Sequence, residues 1–203
     1  MDWYEEEVAD LIQRRDALPY DPQTIFYGSS TIRLWESLYD DFKDCQPVNL
    51  GFGGSTLAAC VWFFERIVAP MKSAQNMFVY AGDNDLGDGR TPEEVLIFFE
   101  ELVTKMNQYF PNLPWYYISI KPSISRWNID DKIKRTNELI ESVIMEKNNI
   151  TFINIYNAML DENGYPNAAL FEEDGLHLSK EGYVVWKEAL GALCLPANKQ
   201  TIA

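Results

Sequence analysis

Apolar residues follow two alternating patterns along this chain. Five short runs are almost continuously apolar: TIFYG (24–28), PVNLGF (47–52), NMFVYAG (76–82), WYYISI (115–120) and ITFINI (150–155). Runs of this length without regular polar alternation predict strands covered on both faces. Around them, apolar residues recur at helical spacing near 3–17, 55–68, 91–110, 125–147 and 179–193. The clearest helix start lies at 91–94, where Thr91 suits the cap, Pro92 the first turn, and Glu94 completes a capping box. Strands and helices that alternate throughout imply parallel strands joined by right-handed crossovers. The expected fold is therefore one α/β domain over 1–203, a three-layer α/β/α sandwich around a five-stranded parallel sheet. Ligands of such sheets bind beyond the carboxyl ends of the strands, where strand order reverses, so the loops after the strands are the ones to read for chemistry.

Composition narrows the choice of partner. With 203 residues, 47% hydrophobic and 24% charged, the chain matches one globular domain of roughly 100 to 200 residues. A net charge of −14 argues against nucleic acid and anionic membrane surfaces, which are bound by clustered Lys and Arg. No segment holds the roughly 18 apolar residues that span a bilayer, and the acidic, amphipathic start MDWYEEEVADLIQRRD is unlike a secretory signal. Cys45, Cys60 and Cys194 are widely spaced and form no CxxC. They read as buried thiols in a reducing compartment, so a cytoplasmic protein is expected. Aromatic side chains on the outer helices suit either the core or a homo-oligomer contact.

Four strand-end loops carry candidate chemistry. Gly28-Ser29-Ser30-Thr31 closes the first strand and opens a helix. A serine there is ordinarily a helix cap; alternatively its hydroxyl lies beside free amides and the positive end of a helix dipole, where it can attack a substrate. Gly51-Phe52-Gly53-Gly54-Ser55-Thr56 is either a tight turn or a place where backbone amides approach a ligand. It is not a dinucleotide fingerprint, because Thr56 stands where the third glycine belongs, and no Walker sequence occurs. Gly82-Asp83-Asn84-Asp85 is acidic enough to suggest calcium, but Asp88 replaces the glycine an EF-hand needs and a strand precedes the loop. The Asn84 carboxamide could instead donate to developing negative charge. Asp174-Gly175-Leu176-His177 holds the only histidine, with an acid three residues before it to orient the ring. A single histidine builds no multi-His metal centre, and no metal or cofactor is expected.

A serine, a close-approach glycine, an asparagine and an Asp–His pair on the loops of one parallel sheet are the parts that acyl transfer requires. In these residues, from the first strand to the last helix, the chain resembles the SGNH hydrolases, also called GDSL esterases and lipases. The resemblance implies that family's flavodoxin-like fold, catalytic triad and oxyanion hole. It implies Ser30 in GSST as nucleophile, Gly54 as the oxyanion glycine, Asn84 in GDND as a further oxyanion donor, and Asp174 and His177 in DGLH as acid and base. The chain departs from the family motif at Ser29, where Asp is usual, and at Thr31, where Leu is usual. The GxSxG elbow of α/β-hydrolases is absent: Ser30 has no glycine two places on, and Ser55 is followed two places on by Leu57.

The expected activity is cleavage of a small-molecule carboxylic ester, with a small or carbohydrate-linked acyl group, through an acyl-enzyme. A lysophospholipase or thioesterase is the nearest variant, and an inert binding protein on the same fold is the rival of a different class. Lys121, Arg126 and Trp127 in KPSISRW, with Trp35 and Phe52, are candidate substrate contacts. In the competing reading, Ser125 is a helix N-cap and Trp127 staples that helix to the sheet.

Overall fold

A computed structural model describes residues 1–194. Five parallel strands, β1 (Thr24–Gly28), β2 (Pro47–Gly51), β3 (Asn76–Tyr80), β4 (Trp115–Ile118) and β5 (Ile150–Ile153), form one sheet in the order β2-β1-β3-β4-β5. The chain moves outward from β1 to β2, then returns past β1 to β3. Strand order therefore reverses between β1 and β3, whose carboxyl ends lead to the GSST and GDND loops.

The helices divide between the two faces because side chains along each strand alternate in direction. Ile25 and Tyr27 of β1 and Met77 and Val79 of β3 pack beneath α1 (Glu5–Asp16), α4 (Leu57–Ile67), α6 (Pro92–Tyr109) and α7 (Asp130–Ile144). Phe26, Phe78 and Tyr80 point the other way, onto α2 (Ser30–Arg33), α3 (Leu38–Asp41) and α8 (Lys180–Gly191). A short helix, α5 (Asp83–Gly87), lies at the end of β3. The inner strands β1 and β3 are buried along their whole length on both faces, which is why their sequences show near-continuous apolar runs instead of alternation. All three described cysteines are free and buried.

The first strand and the cap of α6 agree with the sequence reading: Thr91 accepts from the Glu94 N–H and Glu94 returns the bond to the Thr91 N–H. The other strands end earlier than their apolar runs, at 51, 80, 118 and 153. Beyond those points the chain leaves the sheet ladder while remaining buried, as at Phe52, Ala81 and Ile120. The helix expected at 55–68 begins at Leu57 with Thr56 as its cap, and the one at 179–193 begins at Lys180 with Ser179 as its cap. The helix expected from 125 starts only at Asp130, after a 3-10 turn over Trp127–Ile129. Ser125 is therefore not its cap; its N–H donates to the Gly175 carbonyl at 3.1 Å, holding residues 124–126 in a loop. Trp127 packs at a tilt against Tyr165, with ring centroids 5.3 Å apart, so it serves that surface loop and not the sheet. No helix among the described residues is long and apolar enough to cross a membrane.

Candidate active site

Gly28 makes the turn that presents the two serines. Its φ of +142° is glycine territory, and a Cβ there would lie 1.8 Å from the Tyr80 carbonyl oxygen. Ser29 then bonds back through its N–H to that same oxygen at 2.9 Å, and its side chain is fully buried. Ser30 follows as the first residue of α2 with its side chain on the other side of the turn. Its Oγ lies 3.0 Å from Nε2 of His177. The pair comes from positions 147 residues apart.

His177 is held from behind. Its Nδ1 lies 2.6 Å from Oδ2 of Asp174, while Oδ1 of Asp174 accepts the N–H groups of Leu176 and His177 at 2.8 and 2.9 Å. Burial alone would raise the Asp174 carboxyl, but these two amides and the imidazole outweigh it and hold the group down to about 2. An ionised Asp174 keeps the proton on Nδ1, leaving Nε2 with the lone pair that faces the Ser30 hydroxyl.

The glycine loop after β2 supplies the second wall. Gly54 has φ +63°, and the space beside its Cα is open, with no atom within 4 Å of where a Cβ would stand. Asn84, in α5, closes the group. Its Nδ2 donates one hydrogen bond to the Ser55 carbonyl at 3.0 Å, and its Oδ1 accepts from Nη2 of Arg126 at 2.9 Å. A primary amide carries two N–H protons, so one remains for another acceptor. The five residues the sequence singled out, Ser30, Gly54, Asn84, Asp174 and His177, thus come from four segments that follow the strands: the starts of α2 and α5, the glycine loop, and the stretch before α8.

The expected substrate contacts fare differently. Phe52 and Trp35 are core residues, buried in opposite hydrophobic layers. Lys121 is 1% exposed, and its Nζ lies 4.0 Å from Oδ2 of Asp83. Burial lowers the lysine to about 8, an effect that Asp83 partly offsets. Arg126 reaches Asp83 as well as Asn84, with Nη1 3.1 Å from Oδ2 of Asp83. Its guanidinium lies so close over Gly87 that a Cβ there would fall 2.8 Å from Nη2. Arg126 therefore buttresses the asparagine loop.

Asp85 is a contributor the sequence reading passed over. Its Oδ2 accepts the Leu57 N–H at the start of α4 at 2.8 Å, and its Oδ1 pairs with Arg90 at 3.0 Å. Burial pushes its carboxyl up to about 6, against the pull of those partners. The GDND sequence showed an acid there but not that it ties the asparagine loop to the glycine loop. Beside His177 opens a cleft of about 560 Å³, with Leu34, Val184 and Tyr183 on its walls and Glu36, Glu172 and Lys180 among its polar lining.

The strand order, the helix layers and a serine–histidine–aspartate line at the sheet's switch point define an α/β protein with a hydrolase-like site. The chain belongs to the GDSL-like lipase/acylhydrolase family, whose model matches residues 20–185. Solved structures with the same fold include a Streptococcus pneumonia protein provisionally called a platelet activating factor. It is 18% identical, with 96% of this chain and 95% of that one covered at a TM-score of 0.84. A GDSL-like lipase from Bacteroides thetaiotaomicron is 21% identical over 95% of this chain and 96% of its own, with a TM-score of 0.73. A carbohydrate esterase family 3 protein from Talaromyces cellulolyticus is 14% identical over 84% and 95%, with a TM-score of 0.67. No curated protein matches the sequence.

Proposed function

We propose that this protein is a serine esterase that cleaves carboxylic esters through an acyl-enzyme. The observation that carries this reading is the continuous line from Ser30 Oγ through His177, at 3.0 Å, to Asp174, at 2.6 Å. His177 Nε2 takes the hydroxyl proton as Oγ bonds to the ester carbonyl carbon, and the carbonyl oxygen becomes the oxyanion. The backbone N–H groups of Ser30 and Gly54 and the free N–H of the Asn84 side chain receive that charge. His177 then returns the proton to the departing alcohol as the C–O bond breaks. Water repeats the sequence on the acyl-serine: His177 removes its proton, the carboxylic acid leaves, and Ser30 recovers its hydrogen.

The cleft beside His177 falls within the size of small-ligand sites, about 300 to 1,000 Å³. Its largely apolar lining suits a small acyl group, and the fold shared with a carbohydrate esterase supports a carbohydrate-linked one. Buried free thiols support a cytoplasmic setting.

Ser30→Ala tests the reading. It should remove nearly all hydrolysis of p-nitrophenyl acetate and all labelling by a fluorophosphonate, while the protein stays folded. Asn84→Ala should slow turnover on the order of 100- to 1,000-fold. Undiminished hydrolysis by Ser30→Ala would refute the mechanism, and a wild-type protein inert to both reagents would favour a binding protein on this fold.

A further inference from the structure

The amino-terminal segment lies outside residues 20–185, which the family model matches, yet it touches the glycine loop at two consecutive positions. The Tyr4 hydroxyl donates to the Gly54 carbonyl at 2.8 Å. One turn further on, Oε1 of Glu7 accepts the Gly53 N–H at 2.8 Å. The same Glu7 oxygen lies 3.3 Å from Nε of Arg33, at the end of the helix that Ser30 begins.

These contacts fall on either side of one peptide group. The Gly54 N–H belongs to the planar unit joining Gly53 to Gly54. Glu7 grips the peptide before it and Tyr4 the peptide after it. The two Cα atoms between which the Gly54 amide is suspended are thereby tethered to the first turn of α1 and to the 3-10 turn (Asp2–Tyr4) that leads into it. Phe52 and Ser55 are fixed on either side, by the Gly28 carbonyl and the Asn84 side chain, but the two glycines between them carry no side chains to pack, and the space beside Gly54 is open. Glycine loses more conformational freedom on ordering than any other residue, so external tethers matter here. The tethers themselves are firm. Tyr4 is buried, with its ring edge-on to Phe52 and Phe63 at 5.4 and 6.1 Å, and Val8 and Leu11 anchor the helix in the core. Glu7 adds a second link by joining the glycine loop to the nucleophile's helix through Arg33.

We propose that Tyr4 and Glu7 are positioning residues that hold the Gly54 amide in register with Ser30 as an oxyanion donor. This rests on the esterase reading above. An oxyanion donor works only within about 2.7 to 3.1 Å of the developing charge, and a 1 Å displacement costs up to about 100-fold. Loosening a tether therefore lowers kcat while leaving the ground-state affinity for substrate largely unchanged.

The test compares Tyr4→Phe and Glu7→Ala with Ser30→Ala and with Glu5→Gln. Tyr4→Phe keeps the ring packing and removes only the hydroxyl. Glu5→Gln breaks the exposed Glu5–Arg66 pair that links α1 to α4 and so controls for mere loosening of the helix. Fluorophosphonate labelling rates and p-nitrophenyl acetate kinetics are measured on the full chain, with circular dichroism to confirm folding. Tyr4→Phe and Glu7→Ala should each label and turn over on the order of 10-fold more slowly, with KM within about twofold and Glu5→Gln unchanged. Wild-type rates in both variants, with Ser30→Ala unlabelled, would overturn the positioning role and leave the esterase reading intact. An equal slowing in Glu5→Gln would also overturn it, assigning the effect to helix docking. Continued labelling of Ser30→Ala would overturn both. If one positioning variant does not fold, the other decides.

Discussion

Replacing Gly28 with alanine would place a Cβ 1.8 Å from the Tyr80 carbonyl oxygen and 2.6 Å from its carbonyl carbon. Neither neighbour is a flexible side-chain end; both belong to the central strand β3. Real Cβ atoms keep at least 3.0 Å, so β1 and β3 would have to part by about 1.2 Å at their carboxyl ends. The φ of +142° adds strain that an L side chain tolerates poorly. The same movement threatens three bonds: Ser29 N–H to Tyr80, and the Phe52 N–H and Ser55 hydroxyl to the Gly28 carbonyl. Overpacking costs about 1–3 kcal/mol, a strained backbone about 1–3 kcal/mol, and weakened hydrogen bonds about 1 kcal/mol each. At the low end of these ranges the expected loss is about 5 kcal/mol, a large share of the 5–15 kcal/mol typical of a whole domain. Six tryptophans make urea unfolding easy to follow by fluorescence. At a slope of about 2 kcal/mol per molar urea, the midpoint should fall by about 2.5 M. Fluorophosphonate labelling should be lost even where the variant remains folded, because Ser30 would leave His177. A Gly28→Ala protein with the wild-type midpoint and labelling rate would show that this turn does not set the serine's position.

Arg126→Lys should lower kcat on the order of 10-fold with little change in KM, because an ammonium cannot span Asn84 and Asp83 as the guanidinium fork does; equal kcat in the two proteins would exclude a role in aiming Asn84. The buried Lys121 makes stability depend on pH in a defined direction. Its folded value of about 8 lies below the ordinary 10.5, so between those values the unfolded chain binds more protons and stability rises with pH. From pH 8 to 10 this contribution should reach on the order of 2 kcal/mol. Urea unfolding of Lys121→Met across that range should lack it, and an identical pH slope in wild type and variant would contradict the assignment.

Much of this architecture could be read from local pattern. Near-continuous apolar runs marked the strands because a parallel sheet buries both faces of each strand, and Thr91-Pro92-Glu93-Glu94 marked a helix start because capping is settled within four residues. The candidate site residues were singled out in the same way: Ser30, Gly54, Asn84 and the Asp174–His177 pair each stand in a short motif that follows a strand. Boundaries were less so. The apolar runs continue past the sheet at Phe52 and Ile120, since burial and ladder hydrogen bonding end at different residues. Polarity also misled: Lys121 and Arg126 looked like free cations offered to substrate, and tertiary structure turned both toward Asp83, with Arg126 also bracing Asn84.

What the amino-acid order determined by itself was whatever acts within a turn or a strand: periodicity, caps, the glycine at the end of β1, and an acid within reach of the lone imidazole. Only the fold decided which of two adjacent serines faces that imidazole, and that an amino-terminal tyrosine and glutamate grip the glycine loop. Those contacts join residues 46 to 147 positions apart. Separation along the chain carries no information about such distances; they arise when β1 and β3 pair at the switch in strand order and the two helix layers close over them.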